Sequence, residues 1–223
     1  SEYFTDAQPD NVNYFMSKFK SDIKDAINNN FPQTTLVKGK WSKYQSTNIE
    51  QLIDRSVSPL LQARFDQGIT WNTMCPIDGA GPDGHALVGC VAVSMAQIMH
   101  YWKYPSSGQG ENSCYCGGYG TQYADFSSAF YDYDAMGTAE TSSNAAAFLV
   151  WHVGVAVNMD YDCPGSGAQV TGGYPSALYA LENNFLFKDN IYTSYRSSSS
   201  DTQWMNYLKT EIDNNRPMIY VGY

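Results

Sequence analysis

The chain has 223 residues, 43% hydrophobic and 15% aromatic, with a formal net charge of −9. That length and apolar content support a sizeable core and exclude a disordered, collagen-like or coiled-coil chain. Thirteen Lys and Arg against 22 Asp and Glu, with no basic run, argue against a nucleic-acid partner, and no stretch approaches the roughly 18 to 20 apolar residues that cross a membrane.

The N-terminal SEYFTDAQPD lacks the basic start and apolar run of a signal peptide, so the expectation is a soluble, already processed chain. Residues 11–27 place Val12, Phe15, Met16, Phe19, Ile23 and Ile27 at steps of three and four, which predicts a helix with one apolar stripe and Asp10 as its cap. Asn28, Asn29 and Asn30 followed by Phe31-Pro32 end it, because Asn tolerates turn geometry and the residue before Pro avoids the helical region. Residues 33–56 carry few apolar positions and mixed charge, and read as a connector. A denser apolar section starts at Val57, so a domain boundary is expected near residue 56.

Residues 73–89 are rich in Gly, Pro and Asp, the signature of a long irregular loop. CVAVSMAQIMHYW (90–102) follows, nearly uncharged, with Val91, Met95, Ile98, Met99 and Trp102 at helical spacing, and predicts a helix buried on most of its surface. Lys103-Tyr104-Pro105 stops it, and residues 106–123 read as loop or irregular strand. Further helices are predicted over 143–158, over 175–185 with Pro175 in the first turn, and over 202–214. Ser197 to Ser200 read as a solvated loop. The closing MIYVGY alternates like a strand, although a single strand is not stable by itself.

The five cysteines, Cys75, Cys90, Cys114, Cys116 and Cys163, are odd in number, so at least one thiol has no partner within the chain. Cys90 sits where a glycine-ended loop meets a buried helix. Unpaired backbone N–H groups and the helix dipole there favour a thiolate, by about 0.3 to 1 kcal/mol from the dipole, and strongly activated thiols add a cationic partner such as His. By position alone Cys90 also reads as a small core residue, the commoner fate of a free cysteine. A four-thiolate zinc site on Cys75, Cys114, Cys116 and Cys163 is not expected, since the single residue between Cys114 and Cys116 is poor spacing for two ligands on one ion. No metal and no cofactor are implied. The aromatic series Tyr119, Tyr123, Phe126, Phe130, Tyr131 and Tyr133 reads as packing in preference to a sugar-stacking platform.

The segments VSPLL (57–61), FDQ (65–67), WNTMCP (71–76), GCVAVSMAQIMHYW (89–102), YPSSGQG (104–110) and VNMDY (157–161) stand in order, and their succession resembles the streptopain and interpain family of secreted bacterial cysteine peptidases. The resemblance covers the chain from about Val57 to its last residue. It implies an α+β, papain-like fold, represented mainly by its helical N-terminal half, with the chain stopping where the β-rich half starts. Residues 1–56 resemble the end of that family's inhibitory propeptide, and residues 57–223 the N-terminal portion of its catalytic domain.

Carried over residue by residue, the resemblance implies Cys90 as nucleophile and Gln67 as side-chain oxyanion donor, with FDQ standing where the family usually shows W-N-Q. It also implies that Ser166 and Gly167 line the substrate cleft. Acyl transfer needs a thiolate plus donors aimed at the developing oxyanion, and an amide side chain with a helix-start N–H supplies two. The family's base is a histidine in a G-H-A-F-type strand that follows a segment resembled by residues 216–223. His85, His100 and His152 do not hold that position, and His100 is ten helical residues from Cys90, about 15 Å.

The expectation is therefore a secreted cysteine endopeptidase in zymogen form, acting on protein or peptide substrates. Its catalytic histidine would come from a separate C-terminal segment of the same enzyme, leaving this chain inactive when alone. Activation would cut between Ala26 and Val57. Two other readings remain open at this point: a secreted glycan- or protein-binding module in which Cys90 is core, and a papain-like amidase or transferase using the same nucleophile.

Overall fold

A computed structural model describes residues 10–46, 57–138, 143–187 and 191–222; within these, the side chains of residues 10–15 and 43–46 are not described. The chain divides into two compact units, Ser1–Ser56 and Val57–Tyr223.

In the first unit, helix α1 spans Asp10–Asn28. The expected cap on Asp10 and the stripe positions Val12 and Phe15 lie outside the described side chains. Phe19, Ile23 and Ile27 are exposed. The asparagines end α1 as expected: Asn29 Nδ2 donates to the Asp25 carbonyl at 2.8 Å, and Asn30 takes a left-handed φ of 48°. The connector reading of residues 33–56 is corrected in its first half, because Thr35–Ser46 form a second helix, α2. Thr34 starts it, its Oγ1 accepting from the Val37 amide at 3.3 Å. Lys38, Lys40 and Gln45 are good helix formers but mark no stripe, and Leu36 and Trp41 are exposed. A search for apolar periodicity therefore passes over this helix. Residues 47–56 lie outside the described set.

The second unit is built around two apolar helices, α3 (Cys90–Trp102) and α5 (Asn144–Ala156). α5 is capped by Ser143, whose hydroxyl accepts from the Ala146 amide, and it buries Leu149, Val150, His152 and Val153 together with three alanines, Gly154 and Val155. A rod apolar on all sides is stable only when enclosed, and α5 is packed by α3, by a short helix α4 (Tyr133–Met136), by α6 (Ala177–Asn183) and by a β-hairpin. In α3, Val91, Ala92, Met95, Ala96, Ile98 and Met99 are buried as the spacing predicts, whereas Trp102 is exposed. Lys103, in the left-handed conformation, closes its C-terminus.

The hairpin pairs β1 (Glu111–Cys116) antiparallel with β2 (Gly120–Asp125) in the register Glu111↔Asp125 to Cys116↔Gly120. It lies in the stretch read as loop or irregular strand. Cys114, Cys116 and Ala124 face the core while Tyr115 and Tyr123 face outward. Of the aromatic series, Phe126, Tyr131 and Tyr133 are buried, and Phe130 is exposed.

α6 begins later than read. Ser176, fully buried, caps it by accepting from the Tyr179 amide, and Pro175 precedes the cap. Helix α7 (Asp201–Asp213) starts on a capping box of Ser200 and Gln203, so the last residue of the serine tract is a cap instead of free loop. Among the described residues, 217–222 form no strand; the alternation is there, but no neighbouring strand completes a ladder. Helices with one small hairpin give an α+β architecture.

Candidate active site

Cys90 is the first residue of α3 and is exposed, while Val91 and Ala92 behind it are buried. The first helical bond runs from the Val93 amide to the Gly89 carbonyl at 3.1 Å. The amides ahead of it, that of Cys90 included, have no partner inside the helix, and Gly89 has no side chain to cap them. The chain enters the helix through Gly89 at φ 92°, ψ 135°. That is a glycine conformation, and a Cβ there would lie 2.5 Å from Met159 Sδ and 3.3 Å from Ser166 Cβ.

Three segments converge on the residues leading into Cys90. The Val88 amide donates to the Gln67 carbonyl at 2.9 Å, which sets Gln67 alongside the approach to the helix. Asp66 shapes the turn there, its Oδ1 accepting from the Gln67 amide and, at 3.1 Å, from the Gly68 amide. On the other side the Leu87 amide donates to the Asp162 carbonyl at 3.3 Å, and Ser166 Oγ donates to the Leu87 carbonyl at 2.6 Å. Gly167 is exposed and exchanges backbone bonds with Asp160, at 2.9 and 3.1 Å. Cys90, Gln67 and the 166–167 loop are thus brought to one place. The two loop residues differ: Gly167 faces solvent, whereas Ser166 is 7% exposed and its hydroxyl is occupied inside the protein.

Asn72 and Met159 are further members of this neighbourhood that sequence reasoning did not single out, although both lie in quoted motifs. Asn72 is fully buried, and its Nδ2 donates to the Pro82 carbonyl at 2.7 Å and the His85 carbonyl at 3.3 Å. It ties the Gln67 segment to the irregular loop. Met159 fills the space that Gly89 leaves.

Each histidine is engaged away from Cys90. His85 Nδ1 lies 2.8 Å from the Cys75 carbonyl. His100 packs edge-on to Phe65 and Tyr133, and burial, followed by the Lys103 charge, lowers its pKa. His152 is 3% exposed, lies among Phe126, Phe148 and Trp151, and has its Nδ1 3.1 Å from Tyr131 Oη.

Burial pushes the His152 pKa from 6.5 down to about 4. The folded protein holds this ring neutral where the unfolded chain would protonate it. The stability that follows is fully present above pH 6.5 and is lost as pH falls toward 4, by about 3 kcal/mol at most. The expected result is that His152→Phe removes this portion of the acid sensitivity. Urea unfolding at pH 7 and pH 4.5 checks it: the stability difference between the two pH values should shrink in the variant, and an unchanged difference would refute the assignment.

The five cysteines are free thiols. Cys75, Cys114 and Cys116 are buried, and desolvation raises the thiol pKa in each, to about 12 for Cys75 and Cys114. Cys163 is also raised, by desolvation and then by Asp78 and Asp162. These four are held as thiols, which are poor nucleophiles. Cys114 and Cys116 bring their sulfurs to 3.4 Å on the inner face of β1. Among the described residues, no group of three or more His, Cys, Asp or Glu is arranged to hold a metal ion.

A family model described as the Peptidase C10 family matches residues 65–223. The thiol protease/hemagglutinin PrtT of Porphyromonas gingivalis is 27% identical over 186 residues, covering 75% of this chain and 20% of that protein. Streptopain of Streptococcus pyogenes is 26% identical over 234 residues, covering 96% of this chain and 55% of streptopain. Among solved structures, a prointerpain A fragment from Prevotella intermedia aligns with a TM-score of 0.65 at 26% identity, over 92% of this chain and 64% of the fragment. The active interpain A cysteine protease aligns at 0.59 with 30% identity, over 70% and 65%. The chain therefore spans about half the length of streptopain and a fifth of PrtT.

Proposed function

The chain belongs to the Peptidase C10 family, and from that premise we propose that it is part of a secreted cysteine endopeptidase made as a zymogen. Cys90 is the nucleophile. Its thiolate attacks the carbonyl carbon of a peptide bond, and the carbonyl oxygen takes the negative charge as the tetrahedral intermediate forms. The Cys90 amide and the Gln67 side-chain amide donate to that oxygen. The intermediate expels the amine, which takes a proton from the catalytic histidine, and water then releases the acyl group from sulfur. Gly167 lies along the cleft.

That histidine is supplied by a segment of the same enzyme outside these 223 residues. The support is that His85, His100 and His152 are all bonded or packed elsewhere. Residues 1–56 are the end of the inhibitory propeptide, with the activating cut between Ala26 and Val57. The extracellular setting rests on the resemblance to a family of secreted peptidases.

One observation carries the reading. The exposed thiol opens a buried helix behind a glycine that no other residue replaces without strain, with Gln67 bonded two residues upstream. The test uses the complete protein. A peptidyl epoxide should label Cys90 and leave the other four thiols unmodified, and Cys90→Ala should abolish casein hydrolysis. Casein hydrolysis that survives Cys90→Ala refutes the peptidase. Labelling of Cys90 with no casein hydrolysis by the unmodified protein favours an amidase or transferase.

A further inference from the structure

We infer that Ser166 is a positioning residue of the peptidase: it holds the peptide leading into Cys90 so that the Cys90 amide points at the developing oxyanion, and it does not itself contact substrate. The inference rests on the peptidase reading and deepens it.

The geometry is specific. Ser166 is buried, and a serine hydroxyl has one proton to give. That proton goes to the Leu87 carbonyl at 2.6 Å, the shortest of its contacts, while the oxygen accepts from the Asp162 amide at 3.0 Å. The Asp162 carbonyl, at 3.1 Å, is the weaker alternative acceptor. The Leu87 amide is itself bonded to the Asp162 carbonyl, so Leu87 is tied at both its N–H and its C=O to one loop.

The next residue, Val88, is tied to Gln67 on the opposite side. Gly89 follows, with Ser166 Cβ 3.3 Å from where its own Cβ would be. Glycine has the freest backbone of any residue, so the direction of the Cys90 N–H is fixed only as well as the peptides before it are fixed. Ser166 is the side chain that fixes them. A buried hydroxyl whose one proton is spent in this way has no donor left for a substrate, whereas its neighbour Gly167 is exposed.

The test compares Ser166→Ala with Ser176→Ala in the complete, activated enzyme. Ser176 is also buried and also uses its hydroxyl internally, on the Gly172 carbonyl at 2.8 Å and as the α6 cap, so its loss costs stability away from Cys90. Both variants should lose Tm. Only Ser166→Ala should lose kcat, by about fivefold, the size of one ordinary hydrogen bond, with KM unchanged.

A raised KM at unchanged kcat would make Ser166 a substrate contact and overturn the inference. So would a kcat equal to that of Ser176→Ala. Should Ser166→Ala not fold, Ser166→Thr and Ser166→Val share one shape and differ in the hydroxyl. A kcat about fivefold lower in Val than in Thr supports the clamp, and equal values overturn it. Failure of the peptidase reading is seen separately, as hydrolysis that persists in Cys90→Ala.

Discussion

Gln67→Ala in the complete enzyme is expected to lower kcat by about 10²- to 10³-fold, the usual consequence of removing one oxyanion donor, while leaving Tm nearly unchanged. The separation of the two effects follows from how Gln67 is held. Its backbone carbonyl accepts the Val88 amide and its amide is bonded to Asp66, and neither contact uses the side chain. Alanine keeps both, so the segment stays beside the start of α3. What is lost is a donor that matters only when the substrate carbonyl becomes an oxyanion. KM should therefore move far less than kcat. Steady-state kinetics on a peptide substrate, paired with thermal unfolding, decide the matter. A kcat within threefold of the parent would remove Gln67 from the mechanism, and a large loss of Tm would mean that the side chain has a structural role.

Gly89→Ala should damage both folding and chemistry. At φ 92° an alanine is strained by about 1–3 kcal/mol, and its Cβ would fall within 2.5 Å of Met159 Sδ and 2.7 Å of Met159 Cε. Met159 is a flexible side chain but is 1% exposed, so its displacement disturbs the packing between α3 and the loop that carries Ser166. The strain is relieved by rotating the peptide ahead of Cys90, which turns the Cys90 amide away from the oxyanion. Hydrolysis should fall below detection, with a Tm several degrees lower. The double variant Gly89→Ala, Met159→Ala removes the clash with Met159 and leaves the 3.3 Å approach to Ser166 Cβ and the strained φ. Tm and activity should stay low in it, because the dihedral strain remains. Full recovery of activity in the double variant would show that contact, not backbone conformation, makes position 89 a glycine.

How much of this was legible depended on how local the cause was. α3 was readable because its apolar residues recur at helical spacing over more than three turns, α5 because it is one long, nearly unbroken apolar run, and α7 was readable to within a residue. α2 was not, since an exposed helix of lysines with one glycine has no stripe to read. The hairpin was hidden by its composition: glycines, serines and a Cys-Tyr-Cys pattern whose inward face is two thiols. Position 90 could be picked out from a glycine followed by a buried helix, and Gln67 from the family motif. The direction of the Ser166 hydroxyl could not, because its acceptor is 79 residues away in the sequence. Asn72 is likewise defined by partners 10 and 13 residues off, across an irregular loop without periodicity.

The contrast between α5 and α7 has its own consequence. α5 is buried along most of its surface, with only Asn144, Ala145, Phe148 and Trp151 exposed or half-buried, so most of its amides should exchange only when the whole unit opens. α7 buries no residue, and what ties its C-terminal end are polar links at the surface: the paired Arg216–Glu211 contact, Tyr192 on Glu211, and Tyr101 on the Asn215 carbonyl. Such a helix opens at a small fraction of the unit's total free energy. Mutational drift and proteolytic nicking can therefore concentrate there without reaching the scaffold that holds Cys90.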